Sequence, residues 1–188
     1  VDSLVGSEMC IRDRPSGTDY DNRFTNTSST TYYYNRGSSP YDDQAFIVGN
    51  IDSDVVNATT EQKAQTSECG PGVDLYAPGT NIISSCSTTN GMSAVDYHLD
   101  DNFKQVNISG TSMAAPQVSG HLAQILQMRP DLTPDQMKSK VLNQTGINKI
   151  YTTGLSNDYT DTRSISNGNN KFLFTPYSNE YRMSIGRS

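Results

Sequence analysis

The sequence lacks a long apolar run. Its most apolar stretch, residues 121–128, is interrupted by Gln124 and Gln127, whereas a membrane-spanning helix needs about 18 consecutive apolar residues. Hydrophobic residues make up 34% of the 188 residues, and the mean hydropathy is -0.61. The composition therefore predicts a soluble chain of one domain, long enough to bury a core and without a membrane partner.

Clustered positive charge is also missing. The 14 Lys and Arg residues are scattered and are outnumbered by 20 Asp and Glu residues, so the formal net charge is -6. This balance argues against a nucleic-acid partner. Asn, Ser, Thr and Gly are abundant, which favours a loop-rich surface. Secreted and virion proteins often have such a composition, so we expect a secreted or virion-associated protein.

Cysteine and histidine are few. The three cysteines, Cys10, Cys69 and Cys86, and the two histidines, His98 and His121, match no zinc-ligand spacing. A disulfide between Cys69 and Cys86 would close a loop of about 17 residues and contribute about 3 kcal/mol in an oxidising compartment. Two unbonded thiols are an equal alternative at this stage.

Residues 1–14 show no helical or strand period that leads into the rest of the chain. The string SLVGSEMCIRDR within them resembles adapter sequence translated at the ends of sequence assemblies. We therefore expect 1–14 to be an artefactual segment outside the fold, with a flexible N-terminal arm as the alternative.

Short apolar runs bounded by polar residues and turns predict strands at 45–51, 73–79 and 81–85. The turn-rich residues 15–40 predict one long loop, and the polar residues 87–104 predict another. Residues 106–108 alternate only briefly, and 171–174 form a strand-like patch in a polar C-terminal tail.

A helical period begins at Ser112 and predicts a core helix that ends before Arg129. Its apolar stripe is Ala115, Val118, Leu122, Ile125 and Leu126. A second helix is expected to start at Thr133, as N-cap of a capping box, and to run to about Gln144, with Gly146 as its stop.

Residues 109–120 read SGTSMAAPQVSG and place Ser112 where a loop enters the first helix. The Ser112 N–H is then an unpaired donor at the positive end of the helix dipole. Gly110 lets a substrate approach, and small Ala114 and Ala115 leave the hydroxyl exposed. The pattern favours a nucleophile beside an oxyanion site, whereas the ordinary role of a Ser before a helix is the N-cap.

This run resembles the nucleophile motif of subtilisin-like serine peptidases, G-T-S-M-[AS]-x-P-x-V-x-G. Residues 70–79, GPGVDLYAPG, resemble the same family's G-x-x-[IVL]-D-[IVLM]-x-A-P-G strand and turn, and residues 46–51, FIVGNI, resemble its V-I-x-V-G-A strand. The alternative elbow G-x-S-x-G fails because Ala114 replaces its second glycine. The resemblance covers residues 40–145.

The resemblance implies an α/β, subtilisin-like three-layer fold with a mainly parallel sheet that is incomplete at the N-terminus. Residues 15–146 would be the C-terminal part of the catalytic domain, and 147–188 a polar extension of that domain. It also implies a serine endopeptidase that cleaves polypeptides through an acyl-enzyme on Ser112, with the Ser112 N–H in the oxyanion hole. No cofactor is required for that chemistry, and structural calcium is common in the family.

The catalytic Asp and His of the family, which precede the Ser, have no counterpart. His121 follows Ser112 by nine residues, about 13 Å along one helix, and His98 falls in the polar stretch. Neither Asn22 nor Asn26 has the context of the family's oxyanion-hole Asn. We therefore expect the chain to need the N-terminal half of the domain as a partner and to be inactive alone.

Two other functions remain open from the sequence. The first is a catalytically silent subtilase-like domain with a structural or binding role. The second is a non-enzymatic adhesion domain that uses the tyrosine cluster at residues 32–34.

Overall fold

The computed structural model describes residues 23–25, 31–33, 45–57, 60–67, 69–70, 72–89, 92–155 and 163–173. The suspected artefactual segment 1–14, Asn22, Asn26 and the last residue of the strand-like patch, Phe174, lie outside these ranges. The elements, in chain order, are β1 (Arg23–Thr25), β2 (Thr31–Tyr33), β3 (Val48–Asn57), β4 (Thr60–Lys63), β5 (Leu75–Pro78), β6 (Ile82–Cys86), β7 (Val95–Tyr97), β8 (Asp100–Ile108), α1 (Thr111–Met128), α2 (Pro134–Gln144), β9 (Gly146–Ile147) and β10 (Lys171–Phe172).

Five strands form a central sheet in the order β4-β3-β5-β10-β9. The inner strands β3, β5 and β10 are parallel, and β4 and β9 pair antiparallel at the two edges. Helix α1 packs against β3 and β5, and α2 contacts α1. The α/β class expected from the resemblance is confirmed.

The central sheet is buried on both faces at β5. Along β5, Leu75 and Ala77 belong to the core on the α1 side, whereas Tyr76 between them belongs to a second core on the opposite side. Alternate side chains of a strand point to opposite faces, so every residue of this stretch must be apolar or hydrogen-bonded. This explains why the strands appear in the sequence as short continuous apolar runs.

The predicted strands exist, although their ends differ. The run 45–51 leads into β3, which begins only at Val48 and continues to Asn57. Residues 73–79 contain β5, residues 81–85 overlap β6, and 171–174 contain β10. The later, mainly polar part of β3 pairs antiparallel with β4. A pattern of apolar residues does not predict this part of the strand.

The two predicted loops are wrong in part, because strands form inside both. Within 15–40, β1 pairs antiparallel with β2. Within 87–104, β7 and most of β8 pair antiparallel, and β6 completes a three-stranded sheet in the order β6-β8-β7. Backbone hydrogen bonds join these strands, and β7 and β8 consist mostly of polar residues, so no apolar pattern predicts them.

The helices follow the sequence closely. α1 begins at Thr111, one residue before Ser112, and Ala115, Val118, Leu122 and Ile125 of the predicted stripe are buried. α2 has the expected Thr133 N-cap and capping box. It ends at Gln144 as predicted, although the extended backbone of Thr145, and not Gly146, breaks it.

Cys69 is buried and Cys86 is half-buried, and they form no disulfide bond with each other. The alternative of two unbonded thiols is therefore the one that the structure supports.

Candidate active site

Ser112 lies in the first turn of α1, and its side chain is exposed. The N-cap is Gly110, and no side chain caps the helix, so the N-cap role considered for Ser112 is wrong. The Met113 N–H donates to the Gly110 carbonyl oxygen at 3.0 Å. Since the first N–H groups of a helix have no acceptor earlier in the helix, this end attracts negative charge.

The start of α1 is fixed to the end of β5 through two glycines. The Gly110 N–H donates to the Gly79 carbonyl oxygen at 2.8 Å, and Gly110 has a φ of 152°, which residues with a side chain rarely adopt. A Cβ atom on Gly79 would lie 2.5 Å from Asn50 Oδ1 and 2.6 Å from the Gly110 oxygen. The motifs at 70–79 and 109–120 therefore meet by direct backbone contact.

Asn50 of β3 is a polar residue beside this junction that the sequence reasoning missed. Its side chain is 1% exposed. Its backbone N–H donates to Ser67 Oγ at 2.8 Å, and its Nδ2 donates to Thr80 Oγ1 at 3.3 Å. Among the described residues no donor reaches its Oδ1. The sequence held one indication of its role, namely a polar residue inside the apolar run 46–51.

Neither histidine can serve Ser112 as a base. His121 is buried on α1, nine residues and about 13 Å along the helix from Ser112, and burial lowers its pKa. His98 is exposed at the turn between β7 and β8, and β8 then runs nine residues, about 30 Å, before the chain returns to Gly110. Both histidines were predicted to lack a catalytic role, and the structure separates both from Ser112.

Metal ligands do not cluster in the part of the chain that the structure describes: no three His, Cys, Asp or Glu side chains there could hold an ion. None of these residues is assigned to the structural calcium that the resemblance suggested. No helix among the described residues is long and apolar enough to cross a membrane.

Comparison with known proteins agrees with the geometry. The chain is 34% identical over 110 residues to serine protease AprX of Bacillus subtilis, covering 55% of this chain and 25% of that protein. It is 34% identical over 96 residues to the extracellular serine proteinase of a Thermus species, covering 51% of this chain and 20% of the relative. The chain thus spans a quarter or less of the length of these two relatives.

A solved structure also resembles the fold. Fervidolysin of Fervidobacterium pennivorans, a keratinolytic enzyme related to subtilisin, matches 82% of this chain and 22% of its own, with a TM-score of 0.54 and 22% identity. The sequence model of the subtilase family matches residues 18–173, which include the central sheet, Gly79, Gly110 and Ser112. This chain belongs to the subtilase family.

Proposed function

We propose that this chain supplies the nucleophile of a subtilisin-like serine endopeptidase, and that Ser112 is that nucleophile. The observation that carries the proposal is the exposed Ser112 hydroxyl in the first turn of α1, inside a run that matches the family's nucleophile motif. An exposed hydroxyl beside a concentration of helix N–H donors suits attack on a carbonyl carbon, because the oxygen of that carbonyl becomes negative.

In the proposed reaction Ser112 Oγ forms a bond to the peptide carbonyl carbon while its proton passes to a base. The negative oxygen of the tetrahedral intermediate accepts a hydrogen bond from the Ser112 N–H and is stabilised by the positive end of α1. The peptide C–N bond then breaks, the amine leaves with the proton, and water hydrolyses the acyl-enzyme.

The base and the residue that orients it are proposed to come from sequence that precedes this chain in the family order Asp, His, Ser. His98 and His121, the two histidines of the chain, are both remote from Ser112. A serine hydroxyl has a pKa far above neutral and reacts slowly without a base. We therefore expect the chain alone to cleave no peptide bonds, and we expect cleavage once a segment that carries the family's Asp and His is joined to it.

A chimera tests this proposal. The part of AprX that precedes the region aligned with this chain would be fused to residues 40–188, and hydrolysis of a peptide p-nitroanilide and labelling by a fluorophosphonate would be measured. We expect both signals in the chimera, and neither in the chimera with Ser112→Ala. Ser119→Ala is the matched control, because Ser119 is an exposed serine on the same helix and should not affect either signal.

The proposal fails if the folded chimera neither hydrolyses the peptide nor reacts with the fluorophosphonate. That outcome would favour the catalytically silent subtilase-like domain, for which the separation of both histidines from Ser112 is the supporting observation. Labelling that persists after Ser112→Ala would assign the nucleophile elsewhere.

We also propose that the protein is secreted. The acidic, Asn- and Ser-rich composition supports this location, and a relative with 34% identity is named an extracellular proteinase. Fractionation of the producing cells, followed by detection of the chain in the medium, would check it.

A further inference from the structure

Residues 79–81 lie between β3 and the loop that precedes α1, and we call them the 79–81 bridge. They connect β5 to β6. The Gly79 carbonyl oxygen accepts a hydrogen bond from the Gly110 N–H at 2.8 Å, and the Asn81 N–H donates to Ser109 Oγ at 2.9 Å. The two ends of the bridge thus hold the two residues that come just before α1.

Thr80, the middle residue of the bridge, is bonded to β3 instead. Its hydroxyl oxygen accepts a hydrogen bond from Asn50 Nδ2 at 3.3 Å, and its hydroxyl donates to the Ile51 carbonyl oxygen at 3.0 Å. Asn50 and Ile51 are each only 1% exposed, and β3 is an inner strand of the central sheet. A single hydroxyl group therefore ties the bridge to the buried core at two successive residues.

The Asn50 side chain also limits where the bridge can lie. The backbone of Asn50 is fixed by its N–H, which donates to Ser67 Oγ at 2.8 Å. Its Oδ1 is so close to Gly79 that a Cβ atom there would be 2.5 Å away. Since buried side chains in a close-packed core move little, the contact with Gly79 and the bond to Thr80 place two successive bridge residues relative to β3.

The position of the bridge matters because Ser112 follows Gly110 by only two residues. The Ser112 N–H is proposed to bind the oxyanion, and such a donor is effective only at about 2.7–3.1 Å from the place that the oxyanion will occupy. A misplacement of about 1 Å can lower a rate by about 100-fold. Without the Thr80 hydroxyl, the Gly79 oxygen that holds Gly110 would lose its side-chain anchor to β3.

We propose that Thr80 is a positioning residue for the nucleophile. Its hydroxyl anchors the 79–81 bridge to β3, and through the bridge it fixes Gly110 and the first turn of α1. The inference rests on the proposed function, because that function gives the Ser112 N–H its role. A purely structural Thr80 would add to the overall stability without a separate effect on Gly110 or on the reaction rate, so the two roles predict different results.

Amide hydrogen exchange in the complete 188-residue chain, followed by NMR, tests the anchor without any catalysis. The rate at the Gly110 N–H would be divided by the rate at the Val118 N–H in the middle of α1. Thr80→Val keeps the shape of the side chain and removes the hydroxyl. We expect it to raise this ratio about tenfold or more, because two hydrogen bonds that hold the bridge are lost.

Two further variants serve as controls for the exchange measurement. Thr80→Ser keeps the hydroxyl and should restore most of the protection at Gly110. Thr133→Ala removes a hydroxyl at the start of α2 and is the matched control for a general loss of stability. It should leave the ratio unchanged, because overall unfolding exposes Gly110 and Val118 together.

The chimera described above measures the effect on the reaction. We expect Thr80→Val to lower kcat for the peptide p-nitroanilide about tenfold or more and to change KM by less than about twofold, because the misplaced donor acts on the transition state. Thr80→Ser should retain most of kcat, and Thr133→Ala should leave both constants unchanged while the chimera is folded.

The anchor and the proposed function fail separately. An unchanged exchange ratio in Thr80→Val would overturn the anchor, and so would a Gly110 N–H without protection in the unaltered chain. Faster exchange with an unchanged kcat would overturn the positioning role. An unaltered chimera without activity would overturn the proposed function, whereas the exchange ratio would still decide whether Thr80 anchors Gly110.

Discussion

Gly79 is the residue at which three parts of the candidate site meet. A Cβ atom there would lie 2.5 Å from Asn50 Oδ1, 2.6 Å from the Gly110 oxygen and 3.0 Å from Ala114 Cβ. Two of these neighbours are fixed by backbone or by a buried strand, so the start of α1 has to move. We predict that Gly79→Ala lowers the free energy of unfolding by about 1–3 kcal/mol, measured by urea denaturation.

Gly120 provides the matched control for this substitution. It lies within α1, and a Cβ atom there would meet nothing within 4 Å. Alanine favours a helix over glycine by about 1 kcal/mol, so Gly120→Ala should leave the stability unchanged or raise it. Equal effects of the two substitutions on the free energy of unfolding would show that the close packing around Gly79 does not stabilise the site.

At the residue scale the sequence predicted Ser112 and Gly110 as site residues, but it did not predict Asn50 or Gly79 in these roles. Ser112 and Gly110 stand in one short run whose pattern has a local physical reason. Asn50 and Gly79 matter because β3, β5 and the start of α1 come together in space. Along the sequence, Asn50, Gly79 and Gly110 are at least 29 residues apart. Such a contact depends on strand order, which no local pattern encodes.

Among the elements, α2 has a start that depends on two reciprocal hydrogen bonds. The Gln136 N–H donates to Thr133 Oγ1 at 3.3 Å, and the Thr133 N–H donates to Gln136 Oε1 at 3.0 Å. We predict that Thr133→Ala lowers the free energy of unfolding by about 1 kcal/mol, because the Gln136 N–H loses its acceptor. Thermal and urea denaturation would measure the change.

Thr133→Ser is the control for this element, because serine keeps the hydroxyl oxygen and should restore most of the stability. If Thr133→Ala and Thr133→Ser behave alike, the lost methyl group and not the cap explains the change.

Elements with local signals were the ones that the sequence could predict. α1 shows a helical period, and α2 has a cap, a proline and a capping box within four residues. The sheet of β6, β7 and β8 has no comparable signal, because its residues are mostly polar and its strands are joined through backbone pairing across up to 26 residues, as between Ile82 and Ile108. The pairing of these strands therefore could not be predicted from the sequence.

At the scale of the whole molecule, Asp74 links the central sheet to α2. Its carboxylate accepts a hydrogen bond from the Ile47 N–H at 2.8 Å and lies 3.0 Å from Lys138 Nζ. The Lys138 ammonium also donates to the Ala45 oxygen at 2.7 Å and lies 5.6 Å from the centre of the Phe46 ring. The segment before β3, the segment before β5 and α2 thus share one ion pair.

This ion pair is mostly shielded from solvent, since the two side chains are only 15% and 19% exposed. Removal of one charge leaves the other without its partner in a place of low solvent access. We predict that Asp74→Asn lowers the free energy of unfolding by about 2 kcal/mol or more, measured by urea denaturation at neutral pH. Lys138→Met added to Asp74→Asn should cost less than the sum of the single changes.

Asp131→Asn is the matched control on the surface. Asp131 also forms an ion pair, with Arg129 at 2.8 Å, but those side chains are 64% and 55% exposed. Water therefore solvates the Arg129 guanidinium after the substitution, and we expect no measurable change in the free energy of unfolding. If Asp74→Asn is equally harmless, or if the double substitution is strictly additive, then the three segments are held by apolar packing alone. A coupling of about 1 kcal/mol or more would instead show that the charge pair helps to fasten α2 to the sheet that positions Ser112.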